Sequence, residues 1–595
     1  MQENLYHSRL EALRRLMRGR GIDAYLVLTD DYHASEYVGD YFKSRAYLSG
    51  FTGSAGTLVV TAEEAGLWTD GRYFLQAAAQ LQGSGIALHK IGEDVTIPAY
   101  LKAVLPPGRC LGYDGRTVRA GYAAQLKNAL QQQDIRFDET ADLVSELWTD
   151  RPPFPAAPVW ALPTGYTGMS RSEKLAALRR AMAVAGADCH LLAALDDIAW
   201  LFNLRGGDVP YNPVFMAYAL LTAQETVLYA APAAFSADLT ADLNKDGITL
   251  RPYGQVYTDL AALPPGSRVL LDEDAVNVAL CRALPQGVTT VALTNPTTLC
   301  KAQKTPAEQE NMRLAHIYDG VALTKLLYWL CSQPLSVTER DIADKMESLR
   351  AACPDYLGQS FAPIIAAGAH GAIIHYEPTA ESNAPLVNNS FLLMDTGAQY
   401  WQGTTDVTRT VAIGTLSDEQ KTHYTAVLRG HLSLAAAHFK HGCTGVNLDC
   451  LARLPLWELG LDYNHGTGHG VGYLLNVHEG PQGIRLRDQN GGAVLEEGMI
   501  LSNEPGVYFE NRYGIRLENL LLCRKAEKTD HGQFMAFDTL TMVPFDRRAI
   551  DPAQMSEQEL TLLNRYHAAV YQAISPHLTA EERGWLHEAT QPLKA

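Results

Sequence analysis

The sequence lacks the features of a disulfide-stabilised or zinc-knot protein. Its nine cysteines are scattered, their number is odd, and no CxxC pair occurs. A disulfide framework is indicated by an even number of cysteines, and a structural zinc site by closely spaced pairs. The opening "MQENLYHSRLEALRRLMRGRGIDAYLVL" also has no basic region followed by an apolar one, as a signal peptide would. We therefore expect reduced thiols and a cytoplasmic location.

Long apolar runs and an excess of basic residues are also missing. No run is long enough to span a bilayer. The net charge is −17, which disfavours nucleic acid and anionic membranes as partners because both are polyanions. Hydrophobic residues still make up 47% of the 595 residues, an ordinary globular composition in a chain too long for one core. Several soluble domains are expected.

Two proline-rich breaks divide the chain. "TDRPPFPAAPVWALPTG" (149–165) has five prolines and no hydrophobic periodicity, which predicts a linker. The second break (293–316) contains a helix start, because Thr305 can cap a helix and Glu308 completes a capping box. A long helix should then run to about Leu330. The predicted domains are 1–158, 159–303 and 304–595.

The first two domains share a sequence pattern. "GIDAYLVL" (21–28) resembles "GADCHLLA" (186–193), and each follows an amphipathic helix. Each continues through an acidic turn to an aromatic-rich stretch and a glycine pair. Coincidence is the alternative, since helix-then-strand openings are common, but we favour two α/β domains of one fold.

The third domain has a different pattern. Strand-like alternation occurs at 390–414 and 499–523, and a helical stretch (421–440) separates the two. This pattern predicts an α+β domain in which two antiparallel strand pairs face each other.

Four carboxylates lie near the ends of these predicted strands. Asp395 ends "FLLMD" and Asp406 opens "TDVTRTVAI", so a hairpin with a turn at Gln402-Gly403 would place them side by side. Glu504 follows "MILSN", and Glu518 lies in "GIRLENLLL". Each alone is better explained as a surface residue. Gathered in an apolar setting, they would require a cation between them.

The glycine-rich stretch "HGTGHGVGYLLNVHEGP" (465–481) offers a nitrogen ligand, His469. One imidazole and four carboxylates suit Mn²⁺, or Co²⁺ and Fe²⁺, better than a closed structural zinc site. The glycines around His469 would let the backbone approach the metals and adopt positive φ. Bridging carboxylates would hold two ions about 3.5–4 Å apart, as in co-catalytic hydrolase sites.

Three more histidines and an arginine accompany this set. His375 lies in "GAIIHYEP", and His465 and His478 flank the central histidine. Each alone has an ordinary structural or surface explanation. Beside metal ions they could donate hydrogen bonds to an oxyanion or carbonyl, or shuttle a proton. Arg516 should share a strand face with Glu518 and orient a carboxylate through a bidentate contact, although a surface arginine is the alternative.

Together these motifs resemble those of the pita-bread metallopeptidases. "MDTGAQYWQGTTDVTRT", "HGTGHGVGYLLNVHEGP", "SNEPGVYF" and "GIRLENL" match the catalytic motifs, and "AYLSGFTGSAGTLVVT" resembles the N-terminal part of the long, three-domain Xaa-Pro aminopeptidases. The resemblance covers nearly the whole chain. It implies two related creatinase N-terminal-like α/β domains, a C-terminal pita-bread α+β catalytic domain, and a homodimer.

The resemblance also implies roles for the residues. Two Mn²⁺ ions per subunit, or alternatively Co²⁺, Zn²⁺ or Fe²⁺, would hydrolyse the N-terminal Xaa-Pro bond of peptides with proline in the second position. A metal-bridged hydroxide would attack, Glu504 would be the general base, and His375 and His478 would stabilise the oxyanion. The implied metal ligands are Asp395, Asp406, His469, Glu504 and Glu518, and the implied substrate-binding residues are His375, His465 and His478.

Other functions on this fold remain open from the sequence. A prolidase would share the metal site but accept only dipeptides, and it needs a group that captures the free carboxylate of its substrate. A methionine aminopeptidase would not need two large preceding domains, and creatinase-like enzymes lack the ligand set. A non-catalytic binding protein would have lost the ligands, whereas this sequence keeps all five.

Overall fold

The computed structural model describes residues 2–488 and 491–594. The chain forms two compact units. The first contains the residues up to 163 together with 169–298, and the second contains 164–168 and the residues from 299 onward. No helix in the described ranges has the length and apolar character needed to cross a bilayer.

The first unit contains two six-stranded sheets, one in each half. The first half contains β1 Ala24–Leu28, β2 Thr57–Thr61, β3 Ala65–Thr69, β4 Ala87–Lys90, β5 Cys110–Gly112 and β6 Arg136–Asp138, with helices α1 Gln2–Arg20, α2 Ser44–Ser49, α3 Phe74–Gln80, α4 Ile97–Val104, α5 Ala120–Leu130 and α6 Leu143–Leu147.

The second half repeats this plan. Its strands are β7 Trp160–Ala161, β8 Cys189–Leu192, β9 Leu204–Arg205, β10 Ala217–Thr222, β11 Thr226–Ala230, β12 Ile248–Pro252, β13 Arg268–Leu271 and β14 Thr289–Ala292. The helices in this stretch of sequence are α8 Arg171–Ala185, α9 Leu195–Leu201, α10 Ala237–Lys245, α11 Gln255–Ala261, α12 Val278–Ala283 and α13 Pro296–Ala302. Helix α7 Thr164–Thr167 lies in the same stretch but belongs to the second unit.

The two sheets have the same strand order. They run β4-β3-β2-β1-β5-β6 and β12-β11-β10-β8-β13-β14. In each, the strand that follows the first long helix is central, pairs antiparallel on one side and parallel on the other, and is largely buried. The predicted pair of related α/β domains is therefore confirmed, while the boundaries at 158/159 and 303/304 stay predictions.

The second unit combines long helices with short antiparallel sheets. Its remaining helices are α14 Pro306–Leu330, α15 Glu339–Ala351, α16 Asp418–Ala435, α17 Gly445–Trp457, α18 Glu557–Ile574 and α19 Ala580–Ala589. Its strands are β15 Tyr356–Gln359, β16 Ile364–Ala367, β17 Ser390–Thr396, β18 Ala398–Tyr400, β19 Gly403–Thr404, β20 Val407–Ile413, β21 His438–Lys440, β22 Gly468–His469, β23 Gly483–Ile484, β24 Ile500–Asn503, β25 Gly506–Phe509, β26 Tyr513–Arg516, β27 Asn519–Thr529 and β28 Gly532–Thr539.

Two sheets of this unit form the framework of the site. One has the order β16-β17-β20 and the other β21-β28-β27-β24. Helix α16 lies between them in the chain, as predicted, but it ends at residue 435, and 438–440 is a strand. The last three residues of the predicted helix therefore form strand β21, which pairs with β28.

Helix α14 begins and ends where the sequence predicts. The Thr305 hydroxyl accepts a hydrogen bond from the Glu308 amide, and the Glu308 carboxylate accepts one from the Thr305 amide. These contacts satisfy two of the amide donors that a helix start leaves without helical partners. The helix then runs to Leu330.

Removing this cap should destabilise the second unit. We expect Thr305→Ala to lower the free energy of unfolding by about 1 kcal/mol, the usual cost of losing a threonine cap. Thr305→Ser keeps the hydroxyl and should retain most of the stability. Urea denaturation followed by circular dichroism measures both, and equal losses in the two variants would show that the cap contributes nothing.

Candidate metal centre

Two antiparallel strand pairs bring four carboxylates to the same region. Asp395 lies in β17, opposite Thr408 of β20, and Asp406 directly precedes β20. Glu504 directly follows β24, and Glu518 directly precedes β27, which pairs with β24. Three of the carboxylates thus lie just outside a strand, and Asp395 is the penultimate residue of β17.

The connection between the two aspartates differs in detail from the prediction. The turn is formed by residues 401 and 402, and Gly403 is already paired with Tyr400 in the small β18–β19 hairpin. The predicted turn at Gln402-Gly403 is therefore displaced by one residue. The aspartates are still held together, because β17 and β20 pair over seven residues.

His469 lies beside these carboxylates. Its Nε2 is 3.4 Å from Oδ2 of Asp406 and 3.5 Å from Oε1 of Glu504. One ligand-type atom from each of Asp406, His469 and Glu518 lies within 4.8 Å of the other two. Atoms at these separations can share a single metal ion without large rearrangement.

The pKa values reflect the crowding of buried acids. Burial raises the pKa of Asp395, and the charges of Asp406 and Glu504 raise it further, against the opposing effect of Arg516. Burial likewise raises the pKa of Glu518 well above its usual range, and neighbouring carboxylates add to the shift. These acids resist ionisation until a positive charge is placed among them.

The pKa of His469 moves in the opposite direction from that of a typical buried histidine. Burial alone would lower it, but the hydrogen bond and charge of Asp406 and the charge of Glu504 outweigh burial and raise the pKa to about 9. The imidazolium therefore compensates part of the local negative charge when no cation is bound.

The residues fit a divalent cation on two observations. Oδ1 of Asp395 and Oε1 of Glu518 are buried and have no hydrogen-bond partner among the described residues, so two carboxylate lone pairs are free for a ligand. Nδ1 of His469 lies 3.0 Å from the Gly470 carbonyl oxygen. Because a carbonyl only accepts, Nδ1 carries a hydrogen, and Nε2 on the carboxylate side can act as a metal ligand.

Arg516 is fully buried and contacts the first of these acids. Its Nη2 donates to Oδ2 of Asp395 at 2.6 Å, its Nη1 donates to the Tyr508 hydroxyl at 2.8 Å, and its Nε donates to the Thr408 hydroxyl at 3.3 Å. The arginine thus contacts a carboxylate of the site, but through one oxygen instead of the expected bidentate contact. Its strand also ends at Arg516, and Glu518 lies beyond it.

The three other predicted histidines lie near the carboxylates and His469, and each is connected to the site in a different way. Nε2 of His465 lies 2.9 Å from the Tyr508 hydroxyl, which connects it to Arg516. The ring of His478 packs edge-on against that of His469, with centroids 4.4 Å apart. His375 is half-buried and follows Ile374, whose carbonyl oxygen accepts a 3.4 Å hydrogen bond from Arg516.

The glycines around His469 serve close packing and not positive φ. None of the glycines between residues 466 and 472 has a positive φ angle. A Cβ at Gly468 would lie 2.0 Å from the Ser502 carbonyl oxygen, and one at Gly470 would lie 2.0 Å from that of Glu479. The expectation of positive φ was wrong, and the close approach that these glycines allow is to other backbone segments, while approach to the metals stays a prediction.

Three residues that the sequence analysis did not name also contact the site. The Thr408 hydroxyl donates to Oε2 of Glu518 at 2.6 Å, and the Ser502 hydroxyl donates to Oε1 of Glu504 at 3.0 Å. Tyr508 is the third. The first two could have been predicted. Thr408 lies two residues after Asp406 and Ser502 two residues before Glu504, and side chains two residues apart along a strand point to the same face.

Comparison with known proteins agrees with this geometry. The model of metallopeptidase family M24 matches residues 310–525, and the model of the C-terminal region of that family matches 533–593. The model of the creatinase/prolidase N-terminal domain matches 9–147, and a second such model matches 150–308. The chain belongs to metallopeptidase family M24, in the form that carries creatinase/prolidase N-terminal domains.

Relatives of similar length make the likeness more specific. Aminopeptidase P2 of Arabidopsis thaliana is 38% identical, over 98% of this chain and 88% of the relative. The probable Xaa-Pro aminopeptidase P of Pyricularia oryzae is also 38% identical, over 98% of each.

A solved structure extends the likeness to the backbone. The X-prolyl aminopeptidase of Caenorhabditis elegans, described as a cytosolic enzyme with a di-nuclear active site, is 36% identical and superposes with a TM-score of 0.94, covering 99% of this chain and 100% of that one. The family and the fold class predicted from the sequence are confirmed.

Proposed function

We propose that this protein is an Xaa-Pro aminopeptidase that removes the first residue of peptides with proline in the second position. The observation that carries the proposal is the convergence of Asp406, His469 and Glu518, with Glu504 and Asp395 beside them, in a chain similar over its whole length to enzymes of that name.

We further propose that these five residues hold two divalent ions. The donors are four carboxylates and one imidazole, a mainly oxygen set that favours Mn²⁺, with Co²⁺, Zn²⁺ and Fe²⁺ as alternatives. When bound, the ions would supply Lewis acidity and would lower the pKa of bound water toward neutral pH. Two carboxylate oxygens that have no hydrogen-bond partner in the described part of the chain, on Asp395 and Glu518, support this assignment.

Glu504 is our candidate for the general base. It is the least buried of the four acids, and its Oε1 faces His469 while accepting the Ser502 hydrogen bond. A carboxylate in this position can take a proton from the attacking water and deliver it to the proline nitrogen. That nitrogen has no hydrogen before cleavage, so it needs a proton in order to leave.

The histidines would act on the other side of the scissile bond. We assign His375 and His478 to hydrogen-bond donation toward the carbonyl oxygen as negative charge develops on it. His465 and Tyr508 would contact the substrate near the proline ring. Specificity must come from the shape of such a pocket, because the proline nitrogen cannot donate a hydrogen bond.

Product analysis tests the proposal. Metal-stripped protein reloaded with Mn²⁺ should release only the first residue from an Arg-Pro-Pro peptide, and it should leave the matched Arg-Ala-Pro peptide intact. Glu504→Gln and Asp406→Ala should abolish the cleavage while circular dichroism shows a folded chain. Full activity in rigorously chelated protein, or in either variant after reloading, would refute the proposal.

The same assay separates this function from that of a prolidase. A tripeptide or longer peptide should be cleaved faster than the dipeptide Xaa-Pro, because an aminopeptidase does not need the free carboxylate of proline. Cleavage of dipeptides alone would favour the prolidase.

His478 provides a test of oxyanion stabilisation. We expect His478→Ala to lower kcat at least about 10-fold with a smaller change in KM, as for loss of a donor used mainly in the transition state. His438→Ala is the matched control, because that histidine is exposed on β21 and pairs with Glu527. An unchanged kcat for His478→Ala would remove this residue from the mechanism.

We also propose a cytoplasmic homodimer. All nine cysteines are free thiols, as a reducing compartment requires. The end of α17 exposes three large apolar side chains within six residues, Leu454, Trp457 and Leu459. Such clusters usually mark a contact surface, and a second copy of the chain is the occupant that the resemblance implies.

Sedimentation velocity tests the dimer. The unaltered protein should sediment as a dimer, and Leu454→Glu should shift it toward monomer because a carboxylate would be buried without a partner. Val184→Glu, at a more exposed apolar position on α8, should leave the dimer intact. A monomeric unaltered protein would refute the proposal, and a dimeric Leu454→Glu would refute the α17 surface.

A further inference from the structure

A buried ion pair joins helices α14 and α15 behind the two aspartates. Nε and Nη2 of Arg350 donate to the two carboxylate oxygens of Asp319 at 2.7 and 3.1 Å. The side chains are 2% and 4% exposed, so solvent cannot compete for these bonds. This fork-to-fork geometry fixes both groups in orientation as well as in distance.

The arginine has donors left over, and they reach the chain next to Asp395. Nη1 of Arg350 donates to the carbonyl oxygen of Gly397 at 2.9 Å, and Nη2 donates to the hydroxyl of Thr396 at 3.0 Å. Thr396 and Gly397 are the two residues that directly follow Asp395. The guanidinium therefore holds the backbone at the point where β17 ends.

The aspartate has acceptors left over, and they reach the chain next to Asp406. Oδ2 of Asp319 accepts a 2.9 Å hydrogen bond from the hydroxyl of Thr405, the residue that directly precedes Asp406. The same hydroxyl accepts a 3.0 Å bond from the Ala398 amide. The bond at Thr405 thus joins the start of β20 to the end of β17 through the helix pair.

We propose that Asp319 and Arg350 are positioning residues that set the separation of Asp395 and Asp406 and so determine how tightly the site binds metal. The inference rests on the proposed function, in which both aspartates are ligands. Neither Asp319 nor Arg350 would touch the ion or the substrate.

The physical reason lies in the charge of the two aspartates. Adjacent carboxylates repel each other when no cation lies between them, and a hairpin end that is free to move would let them separate. A metal ion would then have to draw them together again, at a cost in affinity. The Thr396 and Thr405 contacts, one from each member of the ion pair, prevent that separation in advance.

Threonine substitutions test this without removing a buried charge. Thr405→Val keeps the shape of the side chain but loses the hydroxyl bonded to Asp319, and Thr405→Ser restores it. Thr396→Val and Thr396→Ser form an independent pair on the arginine side. Thr324→Val is the matched control, because that buried hydroxyl on α14 has no hydrogen-bond partner among the described residues.

The measurement is Mn²⁺ affinity by isothermal titration calorimetry on metal-stripped, full-length protein, with the thermal midpoint recorded alongside. We expect Thr405→Val and Thr396→Val to weaken binding about 10-fold or more, the usual effect of losing a contact behind a metal ligand. The serine variants should recover most of the affinity, and Thr324→Val should match the unaltered protein.

The outcomes separate the inference from the proposed function. Unchanged affinity in both valine variants, with or without a lower thermal midpoint, would show that the ion pair only holds the helices and would overturn the inference. If Asp406→Ala also binds Mn²⁺ as the unaltered protein does, the proposed function fails as well. Loss of affinity in the valine variants with recovery in the serine variants supports both.

Discussion

Repulsion among four carboxylates gathered in one buried region is the constraint on which the catalytic unit depends. Two charges about 4 Å apart interact by about 4 kcal/mol at the effective dielectric of a protein near its surface, and the repulsion grows with burial. Several such pairs exceed the stability margin of a typical domain. The fold must therefore hold these groups rigidly and supply positive charge, and Arg516 and protonated His469 provide that charge.

The architecture meets this constraint with elements that cannot easily move apart. The aspartates are held by seven paired residues of β17 and β20, and the glutamates by the pairing of β24 with β27. Three of the acids lie one residue outside a strand and Asp395 is the penultimate residue of β17, so paired residues fix the backbone next to every acid. Placement near strand ends fixes the positions of the acids without filling the interior of the sheets with charge.

Local features of this fold were predictable from the sequence, whereas most contacts between distant residues were not. The capping box of α14 involves residues close together in the chain. The helix-then-strand pattern that leads into β1 and again into β8 is also local in each copy, so both features are visible in the sequence. Asp319 and Arg350 are 31 residues apart and lie on separate helices. Nothing in "HIYDGVAL" or "ESLRAAC" marks either as buried, because helical periodicity does not distinguish a paired charge in the interior from an exposed one.

The acids of the site were predictable only as a set. Each of Asp395, Asp406, Glu504 and Glu518 has an ordinary surface explanation, and their significance came from recurrence at strand ends. The contacts of Tyr508 and the packing role of the glycines could not be predicted this way. Both depend on which segments the tertiary structure brings together. A Cβ at Gly468 would lie 2.0 Å from the Ser502 carbonyl oxygen, and the Tyr508 hydroxyl is within hydrogen-bond distance of Arg516.

The charge balance of the site explains why its residues would be inert without cations and competent with them. Were all four carboxylates ionised without a cation, their charge would exceed that of Arg516 and protonated His469, and the excess would repel the oxyanion that peptide hydrolysis must form. Two divalent ions with a neutral His469 would reverse the sign and leave the site positive. The same carboxylates that repel one another without a cation are therefore what would allow the site to hold enough positive charge to stabilise a developing anion.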